Sequence, residues 1–146
     1  MSNIGEKIKE LRLEKKVTQK EIAEAIGVSP VSVQRFEYGS VRPSLDTLVA
    51  LAEYFDVPLD FLMGHTGTNL TGANLKRTDM RDVKACGAIF VRANLEQADL
   101  RNADLRFADF SHASLRNAKL DGAKIGGALF TGADVTGTVL DGKVET

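Results

Sequence analysis

The stretch ANLEQADLRNADLRFADF, residues 93–110, repeats one phrase every five residues: alanine, a polar residue, a bulky apolar one. Five suits neither regular element. On an α-helix, at ~3.6 residues per turn, a five-residue step carries the mark ~140° around the axis, so no face stays apolar. On a strand the odd step throws it to the opposite side. The pattern can be buried if five residues form one side of a square coil. The central residue, and the one two before it, then point inward on every side. Four sides make a turn of twenty residues, and successive turns stack at strand spacing, ~4.8 Å.

The register extends well beyond the quoted stretch. Every fifth residue from Leu70 to Leu140 is apolar, fifteen in all. Alanine stands two residues earlier at eleven of these, with Thr68, Thr78, Val83 and Thr138 at the other four. A twenty-residue turn also puts Phe90, Phe110 and Phe130 one above another. Two outward columns alternate in sign: Lys76, Glu96, Arg116 and Lys84, Asp104, Lys124. A disordered low-complexity tail is excluded, because each repeat supplies a residue of the buried class. Residues 66–142 resemble the pentapeptide-repeat family, whose motif is A-(D/N)-L-x-x. The resemblance implies an all-β right-handed quadrilateral β-helix over residues 68–146.

Before Gly64 the chain reads as helices. Ile4, Ile8 and Leu11 share the face of a first helix. Thr18-Gln19-Lys20-Glu21 is a capping box opening a second, which buries Ile22, Ala23 and Ile26 and stops at Gly27. Ser29-Pro30, a cap followed by proline at the first helical position, opens a third helix that carries Val33 and Phe36 inward and ends at Gly39. Leu45, Leu48, Leu51, Ala52 and Phe55 mark a fourth, and Leu59, Phe61 and Leu62 a short fifth. Two helices joined by a tight glycine turn make a helix-turn-helix. Residues 4–63 are similar to the DNA-binding domain of phage-repressor and Cro-type regulators, the XRE family. Thr18-Gln19, Ala23, Gly27-Val28-Ser29, Phe36-Glu37, Gly39, Arg42-Pro43-Ser44 and Leu48 sit where that family's pattern has such residues. The expected architecture is therefore multidomain: an all-α, five-helix lambda-repressor-like unit over residues 1–63, a linker over 64–67, then the solenoid.

The resemblance implies roles for individual residues. In such domains the third helix enters the major groove. Pro30, Val31, Gln34 and Arg35 would face the bases: Gln34 suited to adenine, Arg35 to guanine, Val31 to a thymine methyl. Pro30 stands where several phage repressors carry a glutamine. Gln19, Ser29, Tyr38 and Arg42 would hold phosphates, with amides at the helix starts. Glu37 is expected to order the turn after the third helix.

Charge limits what such a head does alone. Residues 1–63 hold eight basic and ten acidic residues, a net of −2, so counterion release adds modest affinity. A pair of heads reading two half-sites of a palindromic operator would compensate. The solenoid supplies the expected means of pairing: Ile125, Phe130, Val135 and Leu140 at its far end, with only DGKVET following, should be uncovered and form a homodimer interface. Scattered outward apolar residues, Ile89, Val91, Phe107 and Leu129, add to it.

Other classes find less support. No Ser/His/Asp grouping or paired carboxylates suggest catalysis, so no enzyme is expected. His65 and His112 stand apart with no ligand cluster, so neither metal nor other cofactor is expected. Cys86 faces outward by register and has no partner cysteine. No apolar run reaches membrane-spanning length, and the charged amphipathic start carries no signal core; the expected location is cytoplasmic, with no membrane partner. The alternative reading is a protein-interaction module whose solenoid docks DNA gyrase or another topoisomerase. Pentapeptide-repeat proteins that mimic DNA for topoisomerases carry a strongly acidic surface. Residues 64–146 hold eleven basic and ten acidic residues, which argues against that surface here.

Overall fold

The computed structural model describes residues 3–64 and 67–146. The chain divides into two compact units, Met1–His65 and Thr66–Thr146. The expected linker, 64–67, straddles this boundary, and residues 65 and 66, His65 among them, lie outside the described residues.

The first unit is five helices: α1 (Ile4–Lys15), α2 (Gln19–Ile26), α3 (Pro30–Glu37), α4 (Leu45–Phe55) and α5 (Leu59–Leu62). Caps set the starts of the first four. The Thr18 hydroxyl accepts the Glu21 amide at 3.2 Å while the Glu21 carboxylate accepts the Thr18 amide at 2.7 Å. Asn3 and Glu6 make the same reciprocal box ahead of α1. Ser29 and Ser44 cap α3 and α4 through the amides of Ser32 and Thr47. Such caps are worth ~1 kcal/mol each, enough to fix where a short helix begins. Ile8, Leu11, Ile22, Ala23, Val33, Leu51 and Leu62 form the core, each at 1% exposure or less. Leu45 opens α4 as expected but points outward, 65% exposed. Gly5 lets α1 approach α3, since a Cβ there would strike the carbonyls of Phe36 and Glu37.

The second unit is a four-sided β-helix. Each rung is a single residue paired in parallel with the one twenty ahead, from Asn69 with Ile89 through Ser114 with Asp134. The backbone explains the five-residue word. The apolar residue donates its N–H to the next turn, as Phe90 does to Asp109 at 2.7 Å. Its carbonyl then accepts the N–H three residues on, as from Ala93 at 2.9 Å, closing a corner. The residue two past each apolar position has a left-handed backbone at every corner from Gly72 to Gly142, which makes the corners type II turns. Ala98, Ala103 and Ala108 are wholly buried beside Leu95, Leu100, Leu105 and Phe110. Where threonine replaces alanine, at Thr78 and Thr138, its hydroxyl donates to the carbonyl three residues before it at 2.7 Å. The Phe90, Phe110 and Phe130 rings stack with centroids 4.7 and 5.3 Å apart and planes within 4°.

Outside, the Lys76–Glu96 pair forms at 2.7 Å, but Arg116 turns to Asp134 at 3.2 Å. Asp104 is held by Arg106, whose Nη2 lies 2.7 Å from its carboxylate. Two expectations are overturned. Cys86 is buried, 8% exposed, not outward; the next residue in its column, Arg106, is buried to the same degree, so these neighbouring turns are closed over at that corner. At the far end, Phe130, Val135 and Leu140 are buried rather than uncovered, and only Ile125 keeps partial exposure. The chain leaves the ladder after Thr136, whose carbonyl still accepts the Asn117 amide at 2.9 Å. The Asp141 amide bonds back to Thr138, the Lys143 amide to Leu140, and Val144 packs on the end of the core.

Candidate nucleic-acid interface

α2 and α3 meet across the tight turn at Gly27, whose left-handed backbone ends α2 only two residues before the Ser29 cap. Burial then orients α3. Val33, Phe36 and Glu37 face the core, so the opposite side carries Val31, Gln34, Arg35 and Tyr38 at helical spacing, all exposed. Pro30 is exposed at the first helical position. Of the eight residues assigned to base or phosphate contact, these five share one surface. Arg42 is exposed on the loop beyond and lines a shallow groove with Asn3, Ile4, Val41 and Pro43.

Gln19 and Ser29 stand differently. The Ser29 hydroxyl accepts the Ser32 amide and bonds the Ser32 hydroxyl at 2.9 Å, so it is already engaged as a cap. Gln19 is half-buried, and its amide nitrogen donates to Glu37 at 2.9 Å. Its carbonyl oxygen and backbone amide remain at the start of α2.

Glu37 corrects the sequence reading. Its carboxylate is the hub of three helices: Arg12 of α1 donates through Nε at 2.6 Å and Nη2 at 3.0 Å, and Gln19 of α2 completes it. The two charged side chains are 16% and 4% exposed. The Glu37 hydrogen bonds hold the Arg12 guanidinium above its ordinary pKa, against the effect of burial. This clamp fixes the tilt of α3 against α1 and α2. Arg12 carried no local signal, because its partner lies 25 residues away.

No group of three or more metal-ligating side chains occurs among the described residues. No described helix is long and apolar enough to cross a membrane.

Residues 8–62 match the helix-turn-helix family model, and residues 66–137 match pentapeptide repeats in eight copies. The cryptic phage CTXphi transcriptional repressor RstR of Vibrio cholerae is 36% identical over 64 residues, 44% of this chain and 58% of its own. An HTH-type transcriptional regulator of Bacillus subtilis, YobD, is 38% identical over 61 residues, 42% and 54% of the two chains. The chain thus spans little more than half the length of these relatives. Among solved structures, the P22 c2 repressor in complex with a synthetic operator is 26% identical, covers 44% of this chain and 98% of its own, and gives a TM-score of 0.43. Rfr23, a pentapeptide-repeat protein of the cyanobacterium Cyanothece 51142, is 32% identical, with coverage of 50% and 56% and a TM-score of 0.41.

Proposed function

From a chain that joins an XRE-type helix-turn-helix domain, residues 8–62, to pentapeptide repeats, residues 66–137, we propose a sequence-specific, repressor-like DNA-binding regulator that acts as a homodimer paired through its repeat unit. The observation that carries this is the exposed row on α3, Val31, Gln34, Arg35 and Tyr38, on a helix whose other side is locked by Val33, Phe36 and Glu37. Such a row fits the major groove. Arg35 is suited to the O6 and N7 of guanine, Gln34 to adenine, and Val31 with Pro30 to apolar contact with thymine. Tyr38, Arg42, Gln19 and the cap at Ser29 hold the flanking phosphates, Gln19 and Ser29 through helix-start amides more than through side chains. The names of the relatives, repressors and transcriptional regulators, support the same reading.

Eight basic against ten acidic residues in the helical part give few phosphate contacts, so binding depends on two heads at once and its salt slope is shallow. Selection from random duplex DNA should recover a two-fold site. On that site Arg35→Ala should weaken specific binding by ~1–3 kcal/mol in gel shifts. Unchanged affinity would refute the role of Arg35. The acidic balance of the head also favours a second reading, a protein-interaction module docking a topoisomerase. A gyrase supercoiling assay separates the two, since only the second predicts inhibition without operator DNA.

A further inference from the structure

The exposed row of α3 divides by chemistry. Gln34, Arg35 and Tyr38, further along the helix, carry polar groups that can bond to base edges or phosphates. On the same row the first turn offers neither donor nor acceptor. Pro30 holds the first helical position and has no N–H. Val31 stands at the head of the row and, among the described residues, is the only large apolar side chain of α3 left exposed, at 52%. Two hydroxyls flank it, and each is engaged with the other. Ser29 Oγ accepts the Ser32 amide at 3.1 Å and shares a hydrogen bond with Ser32 Oγ at 2.9 Å. Ser32 is half-buried and lies ~100° round the axis from Val31, toward the core side.

A base pair facing such a turn is read without side-chain hydrogen bonds. In the major groove the base edges expose one apolar group, the C5-methyl of thymine, and cytosine carries hydrogen at the same carbon. 5-Methylcytosine puts the identical methyl there and keeps the amino donor of cytosine. A side chain with no polar atom meets that methyl and makes no bond to the oxygen or amino group beside it. We propose that Val31 reads the C5-methyl group itself, so that the protein accepts a 5-methylcytosine·guanine pair as well as thymine·adenine at the position Val31 faces; the assignment rests on the DNA-binding reading of α3. Methylation of a cytosine at that position then strengthens a weak site without a change of sequence, and operator occupancy follows the methylation state of the DNA.

The test uses the full chain and the duplex recovered by selection from random DNA. At each pyrimidine of the site, duplexes carrying thymine, uracil, cytosine and 5-methylcytosine are compared in gel shifts, each with its complementary base opposite. Thymine against uracil, and 5-methylcytosine against cytosine, differ by one methyl group alone. At the position Val31 faces, both methyls should tighten binding by the same factor, about fourfold for one buried methyl. In Val31→Ser both differences should disappear there, while the preferences at other positions persist and circular dichroism is unchanged. Equal affinity for cytosine and 5-methylcytosine at every position, or a methyl effect that survives Val31→Ser, overturns the proposal and leaves the DNA-binding regulator standing. Failure to recover any specific duplex overturns both.

Discussion

Removing the Arg12 side chain should unfold the helical unit far more readily than removal of an ordinary surface charge. In Arg12→Ala, Glu37 keeps only the Gln19 amide for a carboxylate whose side chain is 4% exposed. Breaking a buried pair from one side costs about 3–5 kcal/mol, because the remaining charge stays desolvated. Arg12 itself is 16% exposed, so some water reaches the space it leaves, and the lower end, ~3 kcal/mol, applies. For a unit of this size each kcal/mol lowers the midpoint by about 4–8 °C, giving a fall of about 12–24 °C. Urea unfolding followed by the helical circular dichroism signal isolates this unit from the β-helix. The double variant Arg12→Met with Glu37→Leu should recover most of the loss, since it strands no charge. A loss in Arg12→Ala below ~1 kcal/mol, the range of exposed pairs, would show that the contact is not a clamp.

Phe110 is wholly buried between two rings, so Phe110→Ala should destabilise the repeat unit by about 3–5 kcal/mol, read in the same urea experiment from its β signal. A smaller loss would mean that the turns slide together to close the gap. Acid should act on the β-helix too. The Arg81 side chain holds Asp79 down to about 2, Lys76 lowers Glu96 and Arg101 lowers Asp99, so each favours the folded state while ionised. Their contribution is whole above the unfolded carboxylate range, near 4, and is lost as the pH falls toward 2. A circular dichroism titration should show the repeat unit weakening in that window, less so in Asp79→Asn, and a flat profile would contradict the assignment.

Much of this architecture is legible because its signals are local. Thr18-x-x-Glu21, Gly27 and Ser29-Pro30 mark their own helix ends, and the five-residue word needs no distant partner to be read. Once Val33 and Phe36 are recognised as inward, the exposed row of α3 follows from helical spacing. What escapes is whatever depends on two distant parts of the chain. Glu37 looks like a turn residue until α1 brings Arg12 to it. Register alone makes Cys86 outward; burial there depends on how neighbouring turns close over the corner. Leu140 keeps the sequence beat after the backbone has left the ladder, because residues beyond Thr138 bond to one another instead. One readable sign is easily passed over: Gly122, Gly127, Gly132, Gly137 and Gly142 fall in step, each where the corner demands a left-handed backbone.

The corner turns also govern how such a chain can change length. Inserting one five-residue word would keep every inward side chain inward, yet rotate everything after it by a quarter of the square. The Lys76–Glu96 pair and the Phe90–Phe110–Phe130 stack join residues twenty apart, so a cut between their members would divorce them. Only an insertion of four words restores the vertical neighbours. Growth or trimming of this unit is thus tolerant in steps of one word for its interior, and in steps of four for its decorated exterior.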